Sequence, residues 1–254
     1  MADMILPQPK DAVHKAWLYR TLIGIFGDVT LAKVLYFKGG TCAAMLGYLD
    51  RFSVDLDFDF VGQIKELASV RANLEVVFRD LNLTISDQSN VVPQYFLKYD
   101  ASGNNRNTIK IDVTVPPPKA NSYEPRRFSE IDRIITCQTI ETMMANKLVA
   151  LTDRYRRHEA IAGRDLYDIH HFFLKGFRYN AEVILERTST NAPQFFADLI
   201  EFIEVRVTDD IINQDLSTLL PYEIFSRIRK TLKRETLIFL RDEQKRLNLS
   251  DHRI

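Results

Sequence analysis

The spacing of apolar and polar positions divides the chain into a front half of mixed character and a helical back half. Between residues 8 and 27, Val13, Trp17, Leu18, Leu22 and Ile25 recur at helical intervals and predict an amphipathic helix closed by Gly27 and Asp28. A short segment at 30–35 leads into an apolar run that ends at Phe37, where a glycine pair follows. Residues 41–49 predict a second helix. Strict alternation comes next: over 54–60, Asp55, Asp57 and Asp59 fall on one face of a strand, and Leu56, Phe58 and Phe60 on the other. Ile64, Leu67, Val70, Leu74 and Val77 predict a helix over 63–80. Three β-type segments follow, at 83–86, 91–99 and 108–115. The turn-rich stretch 101–107 reads as the hairpin loop between the last two. On the last strand Ile109, Ile111, Val113 and Val115 share a face, opposite Thr108, Lys110, Asp112 and Thr114.

Pro116, Pro117 and Pro118 end the sheet, because none of them donates to a ladder. A short strand is expected at 133–137. From residue 139 the pattern is helical: 139–153, 164–175, 181–187, 192–206, and one long basic helix over 222–247. A boundary therefore belongs within 116–138, which gives an α/β domain over 1–137 and a helical domain over 138–254.

Composition narrows the function classes. The chain has 254 residues, 46% hydrophobic and 27% charged, enough to bury a core. Its 34 basic and 34 acidic residues cancel. No global field favours nucleic acid or membrane, so contact with RNA would need a local patch. Arg154, Tyr155, Arg156 and Arg157 form one such patch; Arg227, Arg229, Lys230, Lys233 and Arg234 form another. Each is equally well a solvated helix face. Cys42 and Cys137 make neither a disulfide framework nor a zinc set. The start lacks the pattern of a signal peptide, and no run reaches the roughly 18 apolar residues of a membrane span. A cytoplasmic protein with no membrane partner is the expectation.

The candidate chemistry lies in residues 38–59. Three carboxylates on one strand face repel each other unless water or a cation relieves them. Magnesium, held by one or two carboxylates and substrate phosphates, is one relief; plain solvation is the other. Gly39 and Gly40 allow close backbone approach, and with Thr41 they offer N–H groups to an anion at a helix N-terminus. Taken alone they are also a tight turn. Together, a phosphate cradle and an acidic strand suit a metal-dependent nucleotide enzyme, and Asp112 could add a third carboxylate. In the back half, Glu141, Lys147 and Asp153 share a helix. Asp165 and Asp168 stand three apart beside Arg164, on a face that would ordinarily be solvated. His170 and His171 lack a partner at ligand spacing and are expected to be structural.

Three separated blocks resemble the AbiEii/AbiGii-type toxins, a branch of the nucleotidyltransferase superfamily with MenT-like members. The blocks are Phe37-Lys38-Gly39-Gly40-Thr41; the R-x-S-x-D-x-D stretch from Arg51 through Ser53, Asp55 and Asp57; and the Lys147 helix followed by Arg164-Asp165-Leu166-Tyr167-Asp168. They run from about 37 to 171; beyond about 180 nothing carries the resemblance. It implies a nucleotidyltransferase-type mixed sheet with flanking helices, an α/β (α+β) fold, followed by a C-terminal helical bundle. It also implies nucleotidyl transfer from a nucleoside triphosphate to an acceptor, which in MenT-like relatives is the 3′ end of tRNA. As a toxin, the chain would have a separate antitoxin partner.

Residue by residue, the resemblance assigns magnesium (Mg2+) to Asp55 and Asp57, and the triphosphate to Gly39, Gly40 and Thr41. Lys38, Arg51, Ser53 and Asp165 join the nucleotide-binding set. Lys147 would neutralise the β- or γ-phosphate, and Asp112 would be the third carboxylate. Thr41 stands where many relatives have serine and keeps the hydroxyl; Asp59 is extra to the motif. Two other readings compete: transfer to a small molecule such as an aminoglycoside, and a non-catalytic binding protein with a structural acidic strand.

Overall fold

The computed structural model describes residues 4–101 and 106–251. Two compact units divide the chain: Met1–Pro117 with Ser122–Thr139, and Pro118–Asn121 with Ile140–Ile254.

The first unit is built on a seven-stranded mixed sheet. Helices α1 (Asp11–Gly27) and α2 (Val29–Val34) lead into β1 (Leu35–Lys38), α3 (Gly39–Met45) and β2 (Asp55–Phe60). Then come α4 (Leu67–Asp80), β3 (Thr84–Gln88), β4 (Gln94–Lys98), β5 (Thr108–Thr114), β6 (Tyr123–Phe128) and β7 (Arg133–Gln138). The strand order is β3-β4-β5-β2-β1-β7-β6. β2 runs antiparallel to β1 and parallel to β5, and β1 runs parallel to β7. The motif-bearing strands thus sit at the centre of the sheet.

Alternation along these strands gives the sheet two unlike faces. Leu35, Phe37, Leu56, Phe58, Phe60, Ile109, Ile111 and Val113 are buried on one of them. The Phe58 ring packs against Phe26 and Phe37. Asp55, Asp57, Asp59, Lys38, Lys110, Asp112 and Thr114 belong to the other face, by register and by period. Asp28 holds the start of α2 by accepting from the N–H groups of Thr30 and Leu31.

The second unit is helical: α5 (Ile140–His158), α6 (Gly163–Leu174), α7 (Ala181–Thr188), α8 (Ala192–Arg206), α9 (Asp209–Leu216), α10 (Tyr222–Ile228) and α11 (Leu232–Asp251). Residues 118–121 join it. The Glu186 carboxylate accepts from the N–H groups of Lys119 and Ala120, and the Asn180 amide donates to the Ala120 carbonyl.

Several pattern-based expectations need correction. On α1 it is His14, not Val13, that is buried: Val13 is half exposed, while His14 bonds Tyr99 Oη at 2.8 Å and the Val54 carbonyl at 3.0 Å. Burial pushes the His14 imidazole down to about 4, so it is neutral near pH 7. Ile64 lies exposed in a short 3-10 turn ahead of α4 rather than on its buried stripe. The expected strand over 91–99 begins only at Gln94, and Val91 is exposed. The hairpin loop at 101–107 falls partly outside the described residues, since 102–105 are not among them.

The long helix expected over 222–247 is two helices, broken at residues 229–231. α10 buries none of its residues, whereas α11 buries Leu232, Thr236, Leu237 and Leu240. With no shared buried stripe, one continuous helix gains nothing over two. β6 and α9 carry no counterpart in the pattern. Pro125 disguises β6, but proline is tolerated on a sheet edge, where β6 lies.

Replacing Phe58 with alanine removes a fully buried ring from the centre of the sheet's core. Phe58→Ala is expected to cost about 3–5 kcal/mol in chemical denaturation, the usual range for a buried phenylalanine truncated in place.

Candidate active site

β1, α3 and β2 bring two sequence blocks into direct contact. Lys38 ends β1 in extended conformation, and Gly39 turns the chain with φ +81°. A side chain at Gly39 would collide with Asp57: a Cβ there would lie 2.2 Å from Asp57 Oδ2. Only glycine combines that backbone angle with that approach. A Cβ at Gly40 would lie 2.8 Å from both Arg51 Nη2 and Ser53 Oγ. The Thr41 hydroxyl, fully buried, donates to the Asp55 carbonyl. Each residue of the Gly39-Gly40-Thr41 turn therefore meets a different part of the Arg51–Asp57 stretch. The glycines lie inside the first turn of α3, not ahead of a helix beginning at Thr41. Their N–H groups are those that a helix's first turn leaves without intrahelical acceptors.

Register assembles the carboxylates. Asp57 is directly across from Lys38 on β1 and from Asp112 on β5, and Asp55 from Lys110. Asp55, Asp57 and Asp112 are half-buried. Asp112 pairs with Lys110 Nζ on its own strand at 2.5 Å. Arg51 is buried, with Nη1 donating to the Phe52 carbonyl at 2.9 Å, and Ser53 is buried beside it. Lys38 turns along the sheet: its Nζ bonds Asp59 Oδ1 at 2.7 Å and Thr114 Oγ1 at 2.5 Å.

Among the described residues, no group of three or more His, Cys, Asp or Glu is arranged as a metal-ion cluster. The donors present nevertheless suit magnesium. Asp55 and Asp57 offer hard carboxylate oxygens at alternate positions of one strand, partly exposed, and magnesium is commonly bound by one or two carboxylates with substrate phosphates.

In the second unit, α5 and α6 bury a separate charge cluster. Lys147 Nζ bonds Asp165 Oδ1 at 2.8 Å and Asp168 Oδ2 at 2.9 Å, and Arg154 Nη2 lies 3.4 Å from Asp165 Oδ2. Asp165 and Asp168 are not on a solvated helix face; both are fully buried, while Lys147 keeps 19% exposure. Burial works against ionisation of Asp165, yet Lys147 and Arg154 outweigh it and hold the carboxyl at about 2. His170, also buried, bonds Glu235 Oε2 at 2.9 Å. Of the basic residues, Arg156, Arg157, Arg227, Arg229, Lys230 and Arg234 are exposed. Lys233 Nζ instead caps the end of α8 through the Glu204 and Val207 carbonyls.

Sequence reasoning missed the partners of Asp59. Tyr123 and Gln138, which hydrogen-bond it, lie on β6 and β7, and no local motif marks them. The third aspartate of the alternating strand was the available signal.

A family model described as "Nucleotidyl transferase AbiEii toxin, Type IV TA system" matches residues 20–226. The fold is similar to that of JHP933 from Helicobacter pylori, with TM-score 0.60 and 20% identity over 98% of this chain and 97% of that one. It is also similar to MenT4, a nucleotidyltransferase toxin from Mycobacterium tuberculosis H37Rv, with TM-score 0.52 and 18% identity over 93% and 87%. The curated proteins give no match. Among the described residues, no helix is long and apolar enough to cross a membrane.

The depressed Asp165 pKa has a sign. Its stabilising effect is complete above the unfolded value near 3.8 and is lost as pH falls through about 2. Asp165→Asn is expected to lower stability by about 2 kcal/mol at neutral pH. The gap to the native sequence should close between pH 4 and pH 2 in denaturation curves.

Proposed function

The chain belongs to the AbiEii nucleotidyl transferase toxin family, and from that membership we propose transfer of a nucleoside monophosphate from a magnesium-bound triphosphate to the 3′ end of tRNA. Nucleotidyl transfer by a toxin is the family's activity, and a type IV system implies an antitoxin as partner. The close approach of Gly39 to Asp57 carries the reading. It sets the first turn of α3 directly against a half-buried carboxylate, so phosphate oxygens and a carboxylate-bound cation would meet in one place.

In this reading residues 1–137 hold the nucleotide and 138–254 form the helical domain. The N–H groups of Gly39, Gly40 and Thr41 bind phosphate oxygens, with the Arg51 guanidinium and the Ser53 hydroxyl packed behind Gly40. Asp55 and Asp57 would hold magnesium, which would supply charge neutralisation for the leaving pyrophosphate and lower the pKa of the attacking hydroxyl. That hydroxyl oxygen bonds the α-phosphorus, pyrophosphate departs, and Asp112 accepts the hydroxyl's proton. The Asp165 and Asp168 carboxylates fix the position of the Lys147 ammonium, as a lysine assigned to the β- or γ-phosphate requires. The exposed arginines and lysines at 156–157, 227–230 and 234 supply local positive charge for an RNA backbone in a chain of zero net charge. A cytoplasmic location follows from an RNA acceptor of this kind.

Protein supplied with magnesium and each labelled triphosphate in turn is expected to label tRNA. Asp57→Ala should reduce that labelling by about a thousandfold, the scale of losing charge stabilisation at the reacting phosphate. Labelling that survives Asp57→Ala would reject the metal assignment, and transfer to an aminoglycoside with none to RNA would replace the acceptor.

A further inference from the structure

Asp59 is the one carboxylate of β2 that the nucleotide chemistry does not use, yet several strands converge on it. It is fully buried. Lys38 Nζ on β1 donates to its Oδ1 at 2.7 Å; Tyr123 Oη on β6 and Gln138 Nε2 on β7 donate to its Oδ2 at 2.9 and 2.7 Å. Thr114, at the end of β5, takes the second hydrogen bond of the Lys38 ammonium. Tyr123 and Gln138 stand directly opposite each other across β6 and β7, and the Tyr36 ring closes edge-on against Tyr123 at 4.9 Å.

Register alone would pair Lys38 differently. Lys38 is directly opposite Asp57, the position where opposite charges on neighbouring strands normally meet. Its ammonium instead bonds Asp59, further along β2, and Thr114 on neighbouring β5. The reason is electrostatic. Asp59 lies in a drier setting than half-buried Asp57, where attraction to an ammonium is stronger and an unpaired charge would be costly.

We propose that Asp59 is a positioning residue: it draws the Lys38 ammonium to itself and so keeps a built-in cation from competing with the metal ion for Asp57. This rests on the reading of Asp55 and Asp57 as magnesium carboxylates. The network then explains why a motif needing two aspartates is followed here by a third, and why a lysine can stand across from a metal ligand without displacing the metal.

The test is Mn2+ binding to the full chain with a non-hydrolysable triphosphate analogue present, read from the free Mn2+ signal in electron paramagnetic resonance. Asp59→Asn keeps the shape but removes the charge, and is expected to weaken Mn2+ binding about tenfold as Lys38 turns to Asp57, the scale of one hydrogen bond to a charged group. Adding Lys38→Met to Asp59→Asn should restore most of the affinity. Unchanged affinity in Asp59→Asn, or a double variant that binds no better than the single one, would overturn the proposal. Asp57→Ala separates the layers. Wild-type Mn2+ affinity in that variant would sink the metal reading itself; loss there with none in Asp59→Asn would sink only the role of Asp59. If circular dichroism shows Asp59→Asn unfolded, Thr114→Val loosens the lysine without changing any charge. A fall of about threefold is then expected, and no change would overturn the proposal.

Discussion

The structure turns on one steric constraint: the Gly39-Gly40-Thr41 turn occupies space that only glycine leaves open against β2. Asp57 fills the place of a Gly39 side chain, Arg51 and Ser53 fill the place of one at Gly40, and Thr41 ties its hydroxyl to the Asp55 backbone. Two stretches that look like independent motifs in the sequence are one packed object. Neither can shift without the other, a rigidity that suits the proposed grip on phosphate and cation.

That object is stable because the sheet beneath it is strictly two-faced. The alternation that gathers the carboxylates of β2 on one side gathers Leu56, Phe58 and Phe60 on the other, where they join Phe37, Ile111 and Val113 in the core. A slip of one residue in the β1–β2 register would exchange these faces and bury every carboxylate of β2. Burial of the aromatic face thus fixes the position of the charged one. Fully buried carboxylates in each unit have a lysine partner: Asp59 has Lys38, and Asp165 and Asp168 share Lys147.

Much of this was legible in the sequence because it is local. Alternation at 54–60 and at 108–115 gave the central strands and the faces of Asp55, Asp57 and Asp112, and the motif blocks gave the family. What was illegible depends on distant partners. β6 reads as a charged loop with a proline until β7 is beside it. The break between α10 and α11 has no glycine or proline to mark it; it follows from which side chains find a core. α9 carries its marks outside the apolar pattern: Thr208 caps the helix, and two aspartates stand in its first turn. Asp165 and Asp168 have the spacing of a surface pair, and only the packing of α5 on α6 makes them buried ligands of Lys147.

The proposed function requires the glycine turn and the β2 carboxylates to grip one metal–nucleotide complex. A crystal structure with Mn2+ and a non-hydrolysable triphosphate tests it most directly, since anomalous scattering locates the metal without assumption. Metal density is expected at about 2.1 Å from Asp55 and Asp57, the distance at which such ions meet carboxylate oxygens, with the triphosphate on the N–H groups of Gly39 to Thr41. Metal and triphosphate bound elsewhere, with this turn and these carboxylates uncontacted, would contradict it.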